Sequence, residues 1–336
     1  MTVRVPKALL DRDPAVLAPL IDLTHVPDTE PGHTRRRRGS GFSYTNATGR
    51  VLGVREITRI DALAIPPAWT DVWICPNPTG YLQATGIDEA GRKQYRYHEA
   101  FRAFCDTRKF ARLAYFGRAI VKIRKAAAAA LSEPVGSRDH AVAAAVTLID
   151  RELLRVGNDQ SAVNGHYGAT TLTVDHVIDD GLVSLVYTAK SGKEREVLVE
   201  DDDLADVLTE LAADADNELF WFDDDLTGER RRATAGDINR FVIEHAGSAF
   251  SAKDFRTWGG SRTALEARAG GSRLLEAIDA AAEELGNTRS VARSSYVHPA
   301  ITEADQESID AAWSSSRGSR WLDRSESALT KLLTGE

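Results

Sequence analysis

Cysteine and methionine are scarce in this chain: 336 residues hold two cysteines, Cys75 and Cys105, and one methionine. Two thiols make neither a disulfide scaffold nor a four-cysteine zinc site, so a reducing cytoplasm is the expected compartment. Long apolar runs are missing too. The most apolar stretch, Ala126–Leu131, falls far short of the ~18 residues a membrane span needs, so no membrane partner is expected. The opening residues MTVRVPKALLDRDP carry acids and no apolar h-region, which predicts no secretion signal. Several catalytic signatures are also lacking. HExxH, GxxxxGK[ST] and GxGxxG do not occur, and GGS at 259–261 and 270–272 does not fit GxSxG. Zinc-protease, P-loop, dinucleotide-binding and serine-hydrolase chemistry therefore have no footing.

What remains is an ordinary globular composition, with 43% hydrophobic and 27% charged residues in a length that suits one large or two ordinary domains. The net charge of −8 argues at first against a nucleic-acid partner, but its distribution reverses that. Residues 1–105 carry 14 Lys/Arg against 11 Asp/Glu, whereas Glu200–Glu229 holds 13 acids and no Lys or Arg. Binding DNA needs a local basic surface rather than a basic total.

The texture changes along the chain. Residues 1–40 are polar, include Arg35–Arg38, and read as a basic N-terminal arm suited to phosphate contact. Residues 41–104 read as β-rich, with turns at Thr79-Gly80 and Ala90-Gly91. Residues 105–336 read as mainly helical. A basic helix begins near Tyr97 with a turn expected at Gly117. A second runs from a cap near Ser137 or Asp139 to Gly157-Asn158. A hairpin turns at Ser191-Gly192. The predicted class is α+β: a small β-rich N-terminal domain and a larger, mostly α-helical catalytic domain carrying a β-hairpin.

Five residues could carry chemistry: Arg155 in LLRVGN, Lys190 in AKSGK, Arg256 in KDFRTWGGS, Asn287 in LGN and Tyr296 in SSY. Singly each has an ordinary structural explanation, such as a helix-terminal arginine, a solvated hairpin lysine or a capping asparagine. Together they are an inventory for cutting a phosphodiester. Two guanidiniums can clamp the non-bridging oxygens of the crowded, charged transition state, and an amide NH₂ can add a donor. A lysine can protonate the leaving alkoxide, and a phenol can be the nucleophile. No acidic cluster of the kind a two-metal nuclease needs adjoins them, so no metal and no cofactor are expected.

With these motifs in this order, from about Gly41 to Tyr296, the chain resembles the bacterial, poxvirus-like type IB DNA topoisomerases of the tyrosine recombinase/topoisomerase IB superfamily. RVGN and KDFRTWG resemble the two arginine motifs, and HYGATTL resembles the turn after the first. AKSGK resembles the general-acid hairpin, with the role on Lys190 rather than Lys193. LGN followed by SSY, a nine-residue step, resembles the nucleophile motif. GRKQYRYH resembles the DNA-facing segment of the N-terminal domain, which implies DNA contacts by Arg92, Lys93, Gln94, Tyr95 and Tyr97; Lys253 joins them from the second arginine motif. The resemblance implies a monomeric, C-shaped clamp on double-stranded DNA in the cytoplasm, at the nucleoid. It implies relaxation of positive and negative supercoils through a 3′-phosphotyrosyl intermediate, without ATP or a required metal. Asn287 departs from members with histidine there: an amide can donate to phosphate but cannot carry a proton charge. The alternatives are a tyrosine site-specific recombinase and a non-catalytic DNA-binding protein. Recombinases usually have histidine three residues before the second arginine, where this chain has Lys253, and their N-terminal domain is usually helical.

Overall fold

A computed structural model describes residues 11–190 and 192–335. The chain divides into two compact units, Met1–Lys109 and Phe110–Glu336. Among the described residues no helix is long and apolar enough to cross a membrane.

The first unit is built on five antiparallel strands, β1 (His33–Arg38), β2 (Gly41–Thr45), β3 (Thr70–Ile74), β4 (Leu82–Ile87) and β5 (Lys93–Tyr97). Their order in the sheet is β2-β1-β3-β4-β5. Helix α1 (Val54–Ala62) covers it through a cluster of Tyr44, Ile60, Val72, Ile74 and Ala84. A second cluster joins Leu17, Ala18 and Leu23 to Tyr81, Leu82 and Phe101.

The expectation of a loose arm over residues 1–40 gives way at His33, while residues 1–10 lie outside the described residues. Arg35–Arg38 belong to β1, which pairs with β2 from Thr34↔Thr45 to Arg38↔Gly41. Alternation puts Arg35 and Arg37 on one face of the strand and Arg36 and Arg38 on the other; of the first pair, Arg35 is half-buried and Arg37 exposed. Arg35 turns inward, donates to the carbonyls of Ile65 (3.2 Å), Pro66 (2.9 Å) and Trp69 (2.7 Å), and lies over the Phe42 ring. Arg36, Arg37 and Arg38 are exposed.

The second unit is mainly helical. Helix α2 (Glu99–Ala130) enters it and is followed by α3 (Arg138–Glu152), the sheet β6-β7-β8 (Val177–Asp179, Val183–Ala189, Lys193–Leu198) and α4 (Asp202–Ala213). The ribbon β9-β10 (Trp221–Asp223, Arg230–Arg232) precedes α5 (Ala235–Ala246), α6 (Ala252–Ala269), α7 (Leu274–Glu284) and α8 (Arg289–Ser295). The last helices are α9 (Pro299–Glu303), α10 (Gln306–Ser314) and α11 (Arg324–Thr334). Helix α6 is central: α3, α5, α7, α9, α10 and α11 all pack on it.

Two sequence expectations fail here. Helix α2 does not turn at Gly117 but runs through it. A Cβ at Gly117 would come within 2.6 Å of the Trp258 ring and 2.7 Å of Thr330, so the glycine permits close packing rather than marking a break. Helix α3 starts as expected at the Ser137 cap, but it stops at Glu152, not at Gly157-Asn158. Leu153 takes a left-handed φ of 51° and ends it, and Asn158 instead caps the next helical turn, Asp159–Ala162. The acidic block at 200–229 is partly neutralised by the arginines that follow it. Arg230 meets Asp214, Asp216 and Asp223, while Arg231 meets Asp224.

Candidate active site and DNA-facing strand

Arg256 sits on the buried side of α6, and the two residues that let the site close around it follow at once. A Cβ on Gly259 would lie 2.3 Å from Leu153, and one on Gly260 would lie 2.7 Å from Leu285 and 3.2 Å from the Tyr296 Cβ. The GG pair therefore brings the segments bearing Arg155, Asn287 and Tyr296 against α6. Arg256 is 3% exposed. It donates to the carbonyls of Leu153 and, at 2.8 Å, Leu285, and its guanidinium carbon lies 5.2 Å from the centre of the Tyr296 ring. Among the described residues no carboxylate pairs with it. Burial, reinforced by the nearby charge of Arg155, pulls its pKa down to about 10, against the opposing influence of Tyr296.

Arg155 follows the left-handed turn at Leu153 and is held from behind by HYGATTL. The Ala169 N–H donates to the Arg155 carbonyl and the Thr170 N–H to the Val156 carbonyl, both at 2.8 Å. Gly168 is required, because a Cβ there would sit 2.6 Å from the Arg155 oxygen. Ala169, for which sequence suggests no role, is thus a buried backbone clamp. Arg155 Nη2 donates to Asn287 Oδ1 at 2.7 Å. That contact orients the amide and leaves Asn287 Nδ2, a donor, buried without an acceptor.

Tyr296 ends α8, and its carbonyl accepts from Ser261 Oγ at 2.9 Å. Burial alone would raise the phenol's pKa, but the charges of Arg256, Lys253 and Arg155 together bring it below its ordinary value. His298, two residues on, is occupied: Nδ1 accepts from the Ala300 N–H, and burial pushes the ring's pKa down to about 4.

Arg155, Arg256, Asn287 and Tyr296 thus form one cluster, with Lys253 exposed at its edge. Lys190 is not drawn into it by any contact. It stands exposed at the β7–β8 turn, and among the described residues its side chain makes no hydrogen bond or ion pair. Arg195 on β8 was missed by the sequence reading. Its Nη2 donates to the Glu284 carbonyl at 2.9 Å, and its guanidinium underlies Gly286. Its position, alternating inward with Val197, was the available signal. A cleft of about 640 Å³ lies behind β8, but Glu152, Glu200, Asp201, Glu266 and Glu284 among its lining give it the wrong sign for phosphate. Among the described residues no group of three His, Cys, Asp or Glu could hold a metal ion.

In the first unit, β5 alternates. Lys93, Tyr95 and Tyr97 are exposed on one face, Gln94 and Arg96 half-buried on the other. Tyr95 and Tyr97 stack at 6.0 Å. Lys93 pairs with Asp28 at 2.6 Å and Arg92 with Asp88 at 2.9 Å, while Gln94 Nε2 donates to Asp88 at 2.8 Å. Gln94 and Tyr95 therefore leave the strand on opposite sides.

Comparison with known proteins agrees with the resemblance. Residues 41–88 match the N-terminal domain of bacterial DNA topoisomerase IB, and residues 98–317 match the catalytic core of eukaryotic DNA topoisomerase I. The chain is also similar to DNA topoisomerase 1B of Acanthamoeba polyphaga mimivirus, with 30% identity over 285 residues, 79% of this chain and 85% of the relative. None of these matches favours the recombinase alternative. With residues 98–317 matching a topoisomerase I catalytic core and 30% identity to a topoisomerase 1B over most of the chain, the chain belongs to the type IB DNA topoisomerases.

Proposed function

We propose that Tyr296 attacks a DNA phosphodiester and that the surrounding cations carry the transition state. Tyr296 Oη gives up its proton to water and bonds to phosphorus, the bond to the 5′ oxygen breaks, and a 3′-phosphotyrosyl link and a free 5′ hydroxyl result. The strand rejoins when that hydroxyl attacks back and expels the phenolate, so the bond energy is conserved without ATP. Arg155 and Arg256 clamp the non-bridging oxygens, and Asn287 Nδ2 donates to one of them. Lys190 protonates the leaving 5′ oxygen. Between cleavage and rejoining the duplex swivels, which relaxes supercoils of either sign.

One observation carries the reading: Arg256 is buried beside Tyr296 with only neutral acceptors around it. A cation desolvated without a carboxylate is poised for an incoming anion. For DNA contact the support is exposure: Tyr95, Tyr97 and Arg36–Arg38 face solvent in the first unit. Because β5 is an edge strand, an edge-on approach to the major groove presents Gln94 as well as Tyr95. The two units close on duplex DNA as a C-shaped clamp, and a monomer at the nucleoid suffices.

The test is plasmid relaxation in EDTA without ATP, paired with denaturing gels of trapped complexes. Wild type relaxes supercoils and leaves protein linked to DNA; Tyr296→Phe does neither. Relaxation by Tyr296→Phe at the wild-type rate would refute the assignment.

A further inference from the structure

The exposed hairpin lysine poses a positioning problem. A lysine side chain carries ~2 kcal/mol of rotamer entropy, and a hairpin on its own is only marginally ordered. Yet a general acid must sit within hydrogen-bond reach of the leaving oxygen. Something must hold the tip of β7–β8 in register with the phosphate site.

The structure contains two braces, one on each strand. On the β7 side the Tyr167 N–H donates to the Thr188 carbonyl at 2.8 Å, and Tyr167 leads directly into the Gly168–Thr170 clamp on Arg155. On the β8 side the brace is Arg195, which pairs across the ladder with Tyr187, two pairs from the turn-closing pair Ala189↔Lys193. Its Nη2 donates to the last carbonyl of α7, that of Glu284. A Cβ built on Gly286 would lie 3.1 Å from Arg195 Nη1, and Gly286 has a left-handed φ of 58°. The guanidinium is therefore packed under the Leu285-Gly286-Asn287 turn. That turn supplies both the Leu285 carbonyl held by Arg256 and the amide held by Arg155.

We propose that Arg195 is the positioning residue that locks the general-acid hairpin to the phosphate-binding turn, and so acts through Lys190. The proposal rests on the role given to Lys190 above. It differs from a role in binding the phosphate directly, since the described bond of Arg195 is to a backbone carbonyl.

The test exploits the proton that Lys190 supplies. When the P–O5′ bond breaks, the alkoxide takes a proton, because an alcohol ionises near water's pKa of ~15.7. If sulfur replaces that one bridging oxygen, the P–S bond breaks to a thiolate, whose conjugate acid has a pKa of ~8.5 and needs no proton donor. Single-turnover cleavage of matched duplexes with oxygen or sulfur at the 5′ bridging position is measured for wild type, K190A, R195A and R195Q. R195Q keeps a side-chain stem over Gly286 and serves if R195A folds poorly. The expected result is that R195A and R195Q cleave the oxygen duplex ~10–10²-fold slower than wild type, within the range general-acid loss allows. On the sulfur duplex they run within about threefold of it, as K190A does. Equal slowing on both duplexes, or no slowing on either, overturns the proposal. The two readings fail separately. A K190A defect that sulfur does not relieve refutes the role of Lys190, whereas relief for K190A without relief for Arg195 variants refutes only the coupling.

Discussion

Arg124 and Arg256 are both buried guanidiniums of the second unit, and they are in opposite electrical circumstances. Arg124 is gripped by Asp150 (2.7 and 3.0 Å), by both oxygens of Glu326 (2.7 Å each) and by the Trp321 carbonyl. Burial alone would lower its pKa, but the two carboxylates more than reverse that. Arg256 has two carbonyls, no carboxylate and Arg155 as a neighbour, and burial lowers its pKa. The first site sets two carboxylates against one guanidinium and joins α2, α3 and α11. The second keeps a net positive charge where water is excluded. The acceptors separate the two: carboxylates make Arg124 a structural tie, whereas Arg256 is buried beside Tyr296 with its charge uncompensated.

The sharpest way to break that comparison is to remove each cation. R124A strands two buried carboxylates and should destabilise the fold by ~3–5 kcal/mol. Its activity at low temperature should fall only with the folded fraction. R256M should do the reverse, cutting single-turnover cleavage ~10²–10³-fold with a far smaller change in melting temperature. Thermal melts beside cleavage rates decide it, and a large stability loss in R256M with little effect on cleavage would invert the assignment.

A smaller effect comes from converting one kind of site into the other. N287D puts a carboxylate where the Arg155 partner is now an amide. It should capture Arg155 as an ion pair and slow cleavage ~10–10²-fold, while N287H, which keeps a donor, should slow it less. Rates for N287D at or above wild type would contradict this.

Arg35 extends the comparison to the first unit, where it too is held by neutral carbonyls. It differs in being tied three times to one turn. R35A should cost ~2 kcal/mol of stability, and R37A, on an exposed side chain, should cost within ~0.5 kcal/mol. Denaturant titration distinguishes them, and equal effects would mean the carbonyl contacts of Arg35 add nothing to stability.

The smallest expected effect concerns Glu152. Burial first, then the carboxylates of Glu284, Glu200 and Asp201, raise its pKa to about 7. Between the ordinary Glu value near ~4.3 and about 7, the folded state binds the proton that the unfolded chain has released. Stability from this group is therefore lost as pH rises through that window. E152Q should stabilise by ~1 kcal/mol at pH ~8, discounted for partial exposure, and by nothing at pH ~5. Melts at the two pH values test the sign.

Much of the site was legible because its chemistry depends on residue type and order. The motifs around Arg155, Lys190, Arg256, Asn287 and Tyr296 are readable as strings, and the comparisons bear out the family. Arg195 was legible only as an inward position alternating with Val197; its partner, Glu284, lies 89 residues away and is not in the string. Gly117 misled because a glycine in a helix reads as a break, whereas its partner is a tryptophan on another helix. The arginine run at 35–38 misled because composition cannot register a strand against its neighbours.

The sequence by itself determined the local features: the Ser137 cap, the β7–β8 hairpin and the nine-residue interval from Asn287 to Tyr296. These follow from near-neighbour sterics and hydrogen bonding. Only the tertiary structure decided where α3 stops, which arginines keep an uncompensated charge, and which end of Asn287 is free to donate. Those properties depend on solvent exclusion and on partners such as Leu153, 103 residues from Arg256, and no local rule contains them.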